Sequence, residues 1–184
     1  MMKRLCAVLL ILLLIISITG AESEFPSIAV EFFVTYDVLI SFYSPDDKQK
    51  EPEVILTDGD ILMISFGAGR IGVNTKTNKI EELHLLMLVS GLEEDAKPLM
   101  RALCATGAAE SAAKSSKTGF SEVSATINAI KEITIDQDLR IIKGDEVKFY
   151  ETENFDYFMW NSEKTYKDLG LDLTPYTNII LKAK

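Results

Sequence analysis

Four short apolar runs between Glu53 and Ser90 constrain this chain more than any other feature, because turn residues separate them at hairpin spacing. Glu53–Leu56 and Ile61–Phe66 flank Asp58-Gly59-Asp60, where a glycine supplies the positive φ that tight hairpins need. Arg70–Asn74 and Ile80–Ser90 flank Thr75-Lys76-Thr77-Asn78-Lys79, and Asn78 suits a left-handed conformation there. A helix over Ile80–Ser90, capped by Gly91, would be apolar nearly all round, so a strand is expected. A second block of strands closes the chain: Leu139–Ile142, the Lys143-Gly144-Asp145-Glu146 turn, Val147–Tyr150, Phe155–Trp160 and Asn178–Leu181.

The residues between the two blocks read as helices. Asp95–Lys114 carries Leu99, Met100, Leu103, Cys104 and Gly107 on one face, with Pro98 tolerable in the first turn. A loop over Ser115–Gly119 follows, and Ser121 is the expected cap of a helix presenting Val123, Ile127 and Ile130. Ser27–Tyr43 fits two periods at once. Ile28, Val30, Phe32, Val34, Tyr36, Val38, Ile40 and Phe42 alternate as in a strand. Ile28, Phe32, Phe33, Tyr36, Leu39, Ile40 and Tyr43 also form a helical stripe, and Pro26-Ser27 offers a helix start. An unbroken strand of that length far exceeds the usual range of about 3–10 residues, which favours helix. The sum is an α+β domain: a mainly antiparallel sheet of hairpins, with an N-terminal helix and a central helix pair packed on it.

Ahead of this domain stands a leader. Met1-Met2-Lys3-Arg4 is followed by an apolar run over Leu5–Ile18 and by small residues up to Ala21, the pattern of a secretory signal peptide. The run is shorter than the roughly 20 residues of a comfortable membrane span. Residues 1–21 are therefore expected to be a signal peptide cut after Ala21, and 22–184 a single secreted or cell-envelope domain. An uncleaved anchor is the alternative, and membrane contact is expected only in that case. Removal of 21 of the 184 residues leaves 163. It takes away Lys3 and Arg4, so 19 basic residues become 17 against 28 acidic, and the formal charge moves from −9 to −11. Such an acidic chain lacks the basic footprint that nucleic acid requires. Cys6 departs with the leader, so Cys104 alone remains and the fold is not a disulfide scaffold.

Few motifs bear on chemistry. Gly67-Ala68-Gly69-Arg70-Ile71-Gly72 has the dinucleotide-binding form, but that mechanism needs a helix to open at once. Val73-Asn74-Thr75-Lys76-Thr77-Asn78 follows instead, so a glycine-rich strand connection is expected and no cofactor. Asp58, Asp60, Asp136, Asp138, Asp145, Glu146, Glu151, Glu153 and Asp156 match no calcium-loop spacing, and no metal site is expected. They read as turn and surface charge, though a general acid/base pair can meet in space rather than in sequence. His84, between Leu83 and Leu85, has no second histidine and reads as a sheet residue. Cys104 reads as a buried, inert thiol. Tyr150, Phe155, Tyr157, Phe158, Trp160, Tyr166 and Tyr176 crowd the C-terminal third as core packing, or as a platform for a glycan or peptide.

Phe32-Phe33-Val34-Thr35-Tyr36-Asp37, Asn74-Thr75-Lys76-Thr77-Asn78-Lys79-Ile80 and the small-residue helix Ala102–Ala113 resemble small exported proteins of clostridia-like bacteria. The resemblance implies a helix, a strand meander, a helix pair and closing strands, and it implies no active site. The expected function is a non-catalytic binding or structural role at the cell envelope or outside the cell, with a protein or glycan partner. An extracytoplasmic hydrolase working through paired carboxylates is the alternative. No catalytic residue is assigned on either reading.

Overall fold

The computed structural model describes residues 25–46, 50–88, 97–114, 119–136, 146–161, 167–170 and 176–184. The leader and the expected strand at Leu139–Ile142 lie outside them, as do Asp138, Asp145 and Tyr166. The elements run α1 (Ser27–Tyr43), β1 (Glu53–Asp58), β2 (Ile61–Phe66), β3 (Gly69–Asn74), β4 (Lys79–Leu88), α2 (Lys97–Ala113), α3 (Phe120–Asp136), β5 (Val147–Glu151), β6 (Phe155–Asn161) and β7 (Tyr176–Ala183). The seven strands form one antiparallel sheet in the order β1-β2-β3-β4-β7-β6-β5. The architecture is α+β, with α1 and α2 against the sheet and α3 packed on α2 rather than on the strands.

The helical period wins in α1 because it gathers the aromatic rings. Phe32, Phe33 and Tyr36 close around Phe66 of β2, with ring centroids 5.4, 5.8 and 5.3 Å from it. A strand would have put Phe32 and Phe33 on opposite faces. Phe42, which belongs to the alternating pattern alone, is 66% exposed. The start of α1 is tied down from far along the chain. Asn78, in the β3–β4 turn at φ +52°, accepts a hydrogen bond from the Ile28 backbone N–H at 3.2 Å and donates to Ser27 Oγ at 2.8 Å. Its left-handed backbone was expected; its capping of a helix is not a local feature.

The middle helix is buried all round, with residues 102–112 inside the molecule. Alanines and Gly107 let α1, α3 and the sheet approach it together. A Cβ on Gly107 would sit 2.9 Å from Val123 Cγ1 of α3. The start of α3 differs from expectation. Gly119 is the capping residue, its carbonyl accepting from Glu122 and Val123 N–H at 2.9 and 3.2 Å, so Ser121 lies inside the first turn. No helix follows the GxGxxG string, since Gly69–Gly72 are in β3. Gly69 is required by strand approach: a Cβ there would lie 1.9 Å from the His84 carbonyl oxygen.

Candidate functional site

The helices occupy one face of the sheet, where Ile64, Phe66, Ile71, Leu83, Leu85, Tyr157, Met159, Ile179 and Leu181 complete the core. Strand alternation sends their neighbours to the other, open face. There the register sets Met63 beside Gly72, Gly72 beside Glu82 and Glu82 beside Lys182. β1 adds two residues in succession. A bulge between Val54 and Leu56 breaks the alternation, so Ile55 and Leu56 both turn to this face, 51% and 56% exposed.

The outcome is a concavity of about 600 Å³ across β1, β2, β3, β4 and β7. Ile55, Leu56, Ile61 and Met63 give it an apolar floor, and Asp58, Arg70, Glu81, Glu82 and Lys182 surround that floor. Gly72 lets the Met63 and Glu82 side chains close over the strand between them. A Cβ there would come within 3.0 Å of both Met63 Sδ and Glu82 Cγ. Lys182 is engaged by Glu146, and its ammonium lies 4.7 Å from the Phe158 ring centroid. His84 Nε2 stands 3.1 Å from Glu82 Oε2, at an angle that makes no hydrogen bond.

The other sequence candidates are scattered. Asp60 ion-pairs with Lys76 at 2.8 Å, and its carbonyl accepts from Thr75, so it braces one turn against the next. Glu151 and Asp156 do meet, but around Lys148, at 2.6 and 2.9 Å, with Lys184 at 3.6 and 3.4 Å. The hydrogen bond from Lys148 is the largest influence holding both carboxyls below their ordinary range. Two carboxylates kept ionised in this way are poor proton donors, since a general acid needs a raised pKa. Glu153 is exposed, and Asp136 ends α3. Among the described residues, Asp58 alone of the sequence candidates lines the concavity.

Cys104 is fully buried in α2, and desolvation pushes its thiol pKa up to about 12, so it is no nucleophile. Tyr157 points into the core and Trp160 to the open face, as their odd spacing implies. Among the described residues no group of three or more His, Cys, Asp or Glu could hold a metal ion, and no helix is long and apolar enough to cross a membrane. No protein-family model, curated protein or solved structure matches this chain.

Two features escaped the sequence reading. Arg70, Glu81 and Glu82 gather beside Asp58 only after the sheet folds. Glu110 of α2 is buried and accepts from Thr152 Oγ1 at 2.5 Å, Asn154 Nδ2 at 2.9 Å and Tyr157 OH at 2.7 Å. Burial first, and the Glu110 charge second, raise the Tyr157 pKa well above its ordinary value, so the phenol keeps its proton and donates. A lone acid amid Ala108-Ala109 and Ser111-Ala112-Ala113 was the available signal for such a buried clasp. Its partners are all protein groups of the β5–β6 turn and β6, which makes the cluster structural.

Proposed function

We propose that this is an exported, non-catalytic domain that binds a partner at the cell envelope or outside the cell, through the open face of its sheet. One observation carries the reading: among the described residues, an apolar floor with half-exposed Ile55 and Leu56 lies uncovered on the face opposite the helices. An aliphatic floor beside a polar, charged rim suits contact with a partner. The basic and apolar pattern of residues 1–21 supports export. The non-catalytic reading is favoured because Glu151 and Asp156 are each paired with lysine outside the concavity, and of the acids named from the sequence only Asp58 lines it, beside Glu81, Glu82 and Arg70.

Two measurements test this together. A panel of chromogenic glycosides and esters is expected to be hydrolysed no faster than in buffer. Turnover lost on Glu151→Gln or Asp156→Asn would establish the hydrolase instead. Photoreactive residues placed at Leu56 or, separately, at Leu169 on an exposed turn compare two surfaces. Adducts from position 56 alone are expected, and adducts from position 169 alone would move the binding surface elsewhere.

A further inference from the structure

The charges around the concavity do not cancel. Asp58, Glu81 and Glu82 stand there as carboxylates, while Glu146 already engages Lys182. Arg70 is left as the one cation facing three acids among the described residues. Resting on the binding role proposed above, we infer that the concavity takes a basic, apolar peptide segment of a partner protein. Its aliphatic or aromatic side chains cover Ile55, Leu56 and Met63, and its Lys or Arg side chains reach Asp58, Glu81 and Glu82. A volume of about 600 Å³ holds a few side chains, not a folded surface.

The same charges turn other occupants away. A second copy brings the same acidic face and a net charge of −9. Pairing two β1 strands antiparallel about Ile55 and Leu56 would also set Glu53 of one against Asp58 of the other, a like-charge pair that destabilises a ladder. The bulge at Ile55 works against any strand added to that edge, so the segment lies on the face. Anionic lipid is repelled. A sugar would need a ring to stack on, and among the described residues no aromatic side chain lines the concavity.

The test uses the full chain and two fluorescein-labelled peptides, one of Lys, Leu and Gly, the other with Glu in place of every Lys. Fluorescence anisotropy at low salt is expected to show the Lys peptide binding at least tenfold more tightly, with the difference shrinking as NaCl is added. Asp58→Asn combined with Glu81→Gln weakens the Lys peptide by about three- to tenfold, the range for a pair of exposed charges. Leu56→Ser weakens both peptides, and Glu153→Gln, far from the concavity, changes neither. None of the four positions is buried, and circular dichroism confirms that each variant is folded. Equal binding of the two peptides, lost on Leu56→Ser, overturns the charge assignment while leaving the open face as the binding surface. Binding indifferent to Leu56→Ser, or absent for both peptides, overturns the inference. Binding abolished by N-methylation of alternate peptide residues also overturns it, since that reports strand addition at the edge.

Discussion

Replacing Glu110 by Ala tests the clasp between α2 and the β5–β6 hairpin. The wild-type carboxylate takes three donors, of which Tyr157 OH is wholly buried and Thr152 and Asn154 are part-buried. Orphaning a buried hydroxyl costs about 1–3 kcal/mol, and each part-buried donor, which can turn to water, adds about 0.5–1 kcal/mol. The total is about 2–5 kcal/mol, before any cavity term. For a domain of this size about 3 kcal/mol lowers Tm by roughly 6–12 °C. Glu110→Gln keeps the shape and one acceptor, but turns an amide N–H₂ toward donors, and should cost about 1–2 kcal/mol. Urea unfolding followed by far-ultraviolet circular dichroism and by the fluorescence of Trp160, the one tryptophan in the chain, gives both values. Ala costing less than about 1 kcal/mol, or no more than Gln, would refute the clasp, because an orphaned buried hydroxyl alone costs that much.

Three further expectations are as specific. Asn78→Gly keeps the positive φ and removes only the cap on α1, so it should cost about 1 kcal/mol in urea unfolding. Asn78→Ala adds left-handed strain and should cost about 2 kcal/mol by the same measurement. With Cys6→Ser in place, Cys104 should stay unreactive to a disulfide reagent in the native state and react fully in denaturant, since at pH 8 roughly one thiol in ten thousand is ionised when the pKa is near 12. Glu151 and Asp156 should titrate below their ordinary values of 4.5 and 3.8 in carboxyl NMR, and Lys148→Ala should move both back up. Because the folded values are the lower ones, their stabilisation is whole above those ordinary values and fades as pH falls through the folded ones.

Local pattern was enough for most of the elements. The Asp58-Gly59-Asp60 turn, the left-handed Asn78 and the β2 boundaries follow from turn chemistry and alternation alone. Ser27–Tyr43 was decided by length, and the packing of Phe32, Phe33 and Tyr36 on Phe66 explains why the longer-range pattern agrees. What lay beyond the sequence was whatever depends on register. The extra residue at Ile55 turns two consecutive apolar side chains to one face, and no propensity marks that position. Arg70 meets His84, and Glu82 meets Lys182, only because β3, β4 and β7 are neighbours. Ser121 is the better cap by residue type, yet Gly119 holds the position because its carbonyl accepts the first helical hydrogen bonds, from Glu122 and Val123 N–H. The short alternation Glu82-Leu83-His84 did hold readable information, since residues two apart in a strand share a face.

The central claim is that the open face of the sheet receives the partner, and methyl NMR tests it most directly. With Ile and Met methyls labelled, the full chain is titrated with a pool of soluble peptides of mixed charge. Ile55, Ile61 and Met63, around the concavity, are expected to shift first and furthest. Ile28 of α1 and Ile127 and Ile130 of α3, all buried, should stay in place. Shifts confined to the helix-side methyls, or none at any peptide charge, would contradict the account.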